Sequence, residues 1–103
     1  MVVRIWSARI TEAQAPVYAR HLEDHVFPSL HEIEGYLGAM LLERASVSGL
    51  EILVITQWKS LESIRAFAGI DLEHAVVSAE AAALLTAFDD RARHFHVIAK
   101  DRL

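Results

Sequence analysis

Cysteine is absent from the 103 residues, which excludes disulfides, thiolate nucleophiles and any zinc or iron–sulfur centre built on cysteine. No apolar run approaches the roughly 20 residues of a membrane-spanning helix. The opening Met1-Val2-Val3-Arg4-Ile5-Trp6 reads as a strand, not as a signal peptide with a basic leader. Basic residues are not in excess: the formal net charge is −4, with both signs interspersed, so no nucleic-acid footprint is present. Glycine-rich phosphate-binding patterns, a Ser-His-Asp arrangement and carboxylates paired by spacing are all missing, which leaves hydrolytic and nucleotide-dependent chemistry unsupported. Repeats, linkers and low-complexity segments are missing too. The expectation is one cytoplasmic domain over residues 1–103, with neither nucleic acid nor membrane as partner.

Apolar residues are plentiful. They make up 53% of the chain, more than a small soluble domain can bury alone, and the excess points to a homodimer. The stretch Leu50–Gly69 concentrates this surplus. Leu50 to Trp58 is nearly continuous aliphatic residue, as in a strand buried on both faces. The period then changes at Lys59-Ser60. Ser60 serves as N-cap, Leu61, Ile64, Phe67 and Ala68 recur at helical spacing, and Gly69 closes the helix.

Around this unit the chain alternates strands and helices. Val2–Ile10 is a first strand whose even positions, Val2, Arg4, Trp6, Ala8 and Ile10, share a face. Thr11 precedes a helix expected over Glu12–Ile33, with a kink at Pro28, which cannot donate to the Asp24 carbonyl. Tyr36–Ala45 and Leu50–Lys59 form a hairpin about Ser46–Gly49. After the Leu61–Ala68 helix, Asp71–Phe88 reads as two short helical pieces and Ala92–Lys100 as the last strand. The order β-α-β-β-α-β is the ferredoxin-like α+β fold, a four-stranded antiparallel sheet with both helices on one face. Its helix-free face is apolar, whether it carries Leu53 and Ile55 or their alternates. Two such faces packed together make a dimeric α/β barrel.

Candidate chemistry clusters in few places. His21 and His25 stand at i and i+4, a metal-ligand spacing, but without the acid of a zinc-helix motif; a solvated helix flank is the simpler reading. His25 lies beside the apolar stripe and is placed to point between helix and sheet. His94 and His96 share a strand face and are read either as an acid–base or metal pair or as interface histidines. Arg4 beside the Trp6 indole makes an anion receiver if its face is helix-covered, and an interface ion-pair residue otherwise. Trp58 and Phe67 read as packing anchors. His74 follows the Gly69 break, in a segment able to flap over the same cavity.

WKSLESIRAFAG, preceded by GYLGAMLLER and followed by an acidic helical segment and RHFHV, resembles the antibiotic biosynthesis monooxygenase family of dimeric α/β barrels over essentially the whole chain. The resemblance implies a pocket between sheet and helices in each subunit. The implied activity is oxidation of a small aromatic, polyketide-like or quinol substrate by dioxygen without a cofactor or metal. Arg4, Trp6 and His74 are then the expected catalytic residues, and His25, Phe67 and His96 the expected substrate contacts. A non-catalytic ligand-binding barrel is the alternative. A haem-degrading relative is another, and that branch implies asparagine near Ala8, tryptophan at Phe67 and histidine at Val77; this chain has no asparagine at all.

Overall fold

The first strand, β1 (Val2–Ile10), runs through the middle of an antiparallel sheet in the computed structural model, which describes residues 1–102. On one side it pairs with β3 (Gly49–Trp58), in register from Val2 opposite Trp58 to Ile10 opposite Leu50. β3 in turn pairs with β2 (Tyr36–Ser46), completing the hairpin about Val47 and Ser48. The other side of β1 is shared end to end by two short strands, β4 (Ala87–Phe88) and β5 (Arg93–His96). The sheet has five strands, with the last edge in two pieces, and the helices cover one face. The ferredoxin-like α+β expectation holds.

Alternation along β1 sorts the two faces. Val2, Arg4, Ala8 and Ile10 are buried beneath the helices, with Trp6 partly buried among them. Cross-strand partners put Trp58, Thr56, Val54, Ile52 and Leu50 on that same inner face. The outer face carries Val3 and Ile5 of β1, Leu53 and Ile55 of β3, Met40 and Leu42 of β2 and Phe95 of β5. Met40, Leu42 and Phe95 remain about half exposed there.

The first helical segment differs from the single helix expected over Glu12–Ile33. A turn follows Thr11, whose hydroxyl accepts from the Gln14 N–H, and α1 (Ala15–His21) begins only then, with Pro16 in its first turn. Leu22–Val26 widens into a π-helical turn in which the Phe27 N–H reaches back to the Leu22 carbonyl, and α2 (Phe27–Leu30) finishes the segment. Pro28 explains the widening. It has no N–H for the Asp24 carbonyl and its ring crowds that group, so the turn before it opens instead of the helix breaking.

Gly35, at φ +93°, sets the entry to β2, and a Cβ there would meet the Ser63 Oγ at 2.1 Å. Ser60 caps α3 (Leu61–Ala68) by accepting from the Ser63 N–H, and Gly69 at φ +86° ends it. An aromatic contact anchors α3 to the sheet. Trp58, fully buried, stacks on Phe67 at 6.0 Å between centroids and meets Tyr36 edge-on at 5.4 Å. Its indole N–H donates to the Thr56 hydroxyl at 2.8 Å.

Two further expectations give way. Within Asp71–Phe88 only α4 (Ala79–Leu84) is helical, capped by Ser78, and residues 71–78 form an irregular strap. Tertiary hydrogen bonds hold that strap open: the Ala75 N–H donates to the Asp90 carbonyl and the Ala92 N–H to the Glu73 carbonyl. The strand expected over Ala92–Lys100 is confined to Arg93–His96, because β1 supplies partners only as far as Val2 and the Met1 carbonyl. Among the described residues no helix is long and apolar enough to cross a membrane.

Candidate functional site

Between the inner face of the sheet and the helices lies a cavity of about 480 Å³, within the size range of small-molecule sites. The floor is Arg4, Trp6, Val54 and Thr56; one wall is Tyr18 through Leu30 of the first helical segment; the other is Phe67 and residues 76–81. Most of this lining is aliphatic or aromatic, so a ligand here would bury apolar surface against it.

Arg4 is its charged feature. β1 directs the side chain inward, and only 4% of the residue is exposed. Nη1 donates to the Leu72 carbonyl and, at 2.8 Å, to His94 Nε2, while Nη2 donates at 2.8 Å to the His74 carbonyl. Its guanidinium carbon lies 5.4 Å from the centre of the Phe67 ring. Burial lowers its pKa to about 10, partly offset by the field of Glu73, so it stays charged at neutral pH. Because an arginine only donates, His94 Nε2 must accept, which places the imidazole proton on Nδ1. Burial, with the adjacent Arg4 charge second, pulls the His94 pKa below the ordinary histidine value, against the opposing pull of Glu73.

Trp6 was expected to present an indole donor to the cavity. That N–H is engaged at 2.8 Å by the Asp89 carbonyl, and the ring leans on Phe88 at 6.1 Å, so Trp6 offers the cavity a surface and not a hydrogen bond. His25 does line the cavity, carried there by the π-turn, next to His21 at 5.7 Å between ring centres. Phe67 forms the wall beside Arg4.

The other two expected histidines lie elsewhere. His74 is exposed and outside the cavity lining; its backbone, not its ring, serves the site by accepting from Arg4, while the residue bridges to Arg91. His96, opposite Val2 at the end of the edge strand β5, is exposed. Its neighbour two residues earlier, His94, is the one drawn in against Arg4.

Sequence reasoning also passed over Tyr18 and Thr56. Burial raises the Tyr18 pKa to about 12, keeping its phenol neutral at the cavity wall. A tyrosine within a helical apolar stripe and a threonine among the aliphatics of β3 are the signals each left. Among the described residues no group of three or more histidine and acidic side chains is arranged to hold a metal ion.

The fold, a ferredoxin-like sheet with helices on one face, is shared with proteins assigned as antibiotic biosynthesis monooxygenases. No protein-family profile matches the chain, and no curated protein does. Solved structures carry the likeness. The heme-degrader MhuD from Mycobacterium tuberculosis, solved with two hemes bound in its active site, superposes with a TM-score of 0.69 at 20% identity, over 99% of this chain and 100% of its own. A Bacillus cereus protein assigned as an antibiotic biosynthesis monooxygenase gives 0.66 at 12% identity, over 100% and 96%. A monooxygenase of Streptomyces coelicolor, in complex with the ligand nanaomycin D, gives 0.61 at 19% identity, over 99% and 89%. At these identities the likeness is one of fold.

Proposed function

We propose that this chain is a monooxygenase that oxidises a small electron-rich aromatic, of the phenol, anthrone or quinol class, with dioxygen and no added cofactor. The observation that carries the reading is an apolar cavity of about 480 Å³ with a buried guanidinium on its floor. Such a site favours the anion of a weakly acidic substrate over its neutral form, and the anion is the species that reacts with dioxygen. Arg4 holds the substrate oxygen. His25 or His21, on the opposite wall, accepts the proton that substrate loses. With an anthrone-like methylene, a C–O bond forms to dioxygen, the O–O bond breaks, and a ketone and one water result. Phe67, Val54 and Trp6 supply the surfaces on which a planar ring lies.

The same residues do not fit the haem-cleaving set that the family resemblance implies. Val77 lines the wall where a histidine is implied, Phe67 stands for tryptophan, and His74 is exposed outside the cavity. His21 and His25 face the cavity side by side from one helical flank.

A homodimer belongs to this reading. The band of Val3, Ile5, Met40, Leu42, Leu53, Ile55 and Phe95 is contiguous on the outer face, and a second copy covers it in kind.

Oxygen uptake tests the reading. With an anthrone or naphthohydroquinone and metal-free, flavin-free buffer, the protein should consume dioxygen above the substrate's own autoxidation, and Arg4→Met should abolish the excess. No excess uptake with any such substrate, alongside intact ligand binding, would identify a binding barrel instead. A Soret band on adding haemin would reopen the haem reading.

A further inference from the structure

We propose that the natural ligand of the cavity is an aromatic acid whose carboxylate sits on Arg4. This rests on the reading of the cavity as the substrate site and specifies what that substrate carries.

The charge balance around Arg4 is the first ground. A guanidinium withdrawn from water is costly unless a counter-charge replaces the lost solvation. Each group that accepts from Arg4 is neutral: the Leu72 and His74 carbonyls and the His94 imidazole. Among the described residues no carboxylate lies within 4.0 Å of it, and none of the salt bridges there includes it. Glu73, whose field reaches Arg4, is exposed and engaged with Arg91 at 3.4 Å. Glu80, the acid on the cavity wall, is exposed in the first turn of α4. The protein surrounds a buried cation with acceptors and leaves its charge unmatched.

Donor count is the second ground. Five N–H groups leave a guanidinium, and three are used by Leu72, His94 and His74. The two that remain, Nε–H and one on Nη2, match the two oxygens of a carboxylate, which arginine binds as a fork. A phenolate oxygen can accept from both but meets them at a single point, whereas a carboxylate meets each donor with its own oxygen. Beyond the guanidinium, Phe67, Val54, Leu22 and Val77 offer apolar surface for an aromatic body, while His21 and His25 line the cavity where a second, weakly acidic group would lie.

The test compares 2-naphthoate with its neutral counterpart 2-naphthalenemethanol, by calorimetry and by quenching of tryptophan fluorescence, on the full chain at neutral pH. The acid should bind the wild type about tenfold or more tightly than the alcohol, the ratio that charge-assisted hydrogen bonds give. Arg4→Met should erase that preference by weakening the acid alone, and Arg4→Lys, which keeps the charge but loses the fork, should restore only part of it. If either variant fails to fold, the comparison on the wild type still decides. Equal binding of acid and alcohol, a preference for the alcohol, a preference that survives Arg4→Met, or no binding of either probe overturns the proposal. Oxygen uptake with a neutral hydroquinone separates the two readings. Uptake together with equal probe binding discards the acid and keeps the oxygenase; a clear preference for the acid without uptake keeps the acid and discards the oxygenase.

Discussion

Acidification should weaken this fold through one hydrogen bond, that from Arg4 to His94. The bond exists only while His94 Nε2 is bare; a proton there turns the acceptor into a donor and sets a second cation 2.8 Å from Nη1. Glu73 attracts a charged His94 but is exposed and tied to Arg91, so it offsets little. A shielded hydrogen bond to a charged group is worth about 1.5–3 kcal/mol, and half-buried His94 should realise about 1 kcal/mol of it after solvent screening. The sign follows from the lowered folded pKa. The unfolded histidine, near 6.5, takes up its proton first as pH falls, so the stabilisation is complete above that value and drains away from there down to the folded pKa. Urea denaturation at about pH 7.5 and about pH 5.5 reads the effect. His94→Gln keeps an acceptor for Arg4 and cannot titrate, so the wild type should lose up to about 1 kcal/mol more than this variant across the interval. The other histidines and the carboxylates act equally in both proteins and cancel. Identical pH slopes for wild type and His94→Gln would refute the reasoning.

Three more outcomes are expected. Trp58→Ala should cost about 3–5 kcal/mol in urea unfolding, since it empties the volume beneath α3; Trp58→Phe should cost about 1–2 kcal/mol, mainly by leaving the Thr56 hydroxyl without its donor. Gly35→Ala and Gly69→Ala both place a side chain at positive φ, yet only the first drives a Cβ to 2.1 Å from Ser63. Gly69→Ala should therefore cost about 1–3 kcal/mol and Gly35→Ala clearly more, measured side by side in thermal or urea melts. Ile55→Asp, in the middle of the outer apolar band, should shift sedimentation from dimer to monomer; a monomeric wild type would overturn the dimer.

Strand faces were the legible part of the chain. Alternation on β1 assigned Arg4 and Trp6 to one side together, and the doubly apolar β3 announced a sheet with two apolar faces, of which the helices cover the inner one. Side-chain periodicity, however, says nothing of where backbone carbonyls go. The strap at residues 71–78 opens an alanine-rich segment that reads as helix, yet Arg4 draws two of its carbonyls inward, and the His74 side chain is left exposed. The choice between His94 and His96 was hidden for a related reason. Both share a face, and only the reach of Arg4 from the neighbouring strand separates a half-buried histidine from an exposed one. Trp6 was placed correctly, but its indole partner is a carbonyl 83 residues away, which no local pattern encodes.

The widened turn at Leu22–Val26 has a consequence for how this helical segment tolerates change of length. Leu22 and Leu30 are both buried and eight residues apart. In a regular α-helix, at roughly 100° per residue, they would point roughly 80° apart; one surplus residue in the turn brings them to within roughly 20°. The turn thus works as an inserted letter that has been absorbed without disturbing the words on either side. Deleting Glu23 or Asp24 would leave Tyr18, Leu22 and Leu30 in frame, provided Pro28 were replaced so that a tight helical turn could close. A deletion one turn earlier or later would instead rotate Leu22 or Leu30 out of the core. Helix length can drift at one point along this segment, and that point is the one that carries His25 into the cavity.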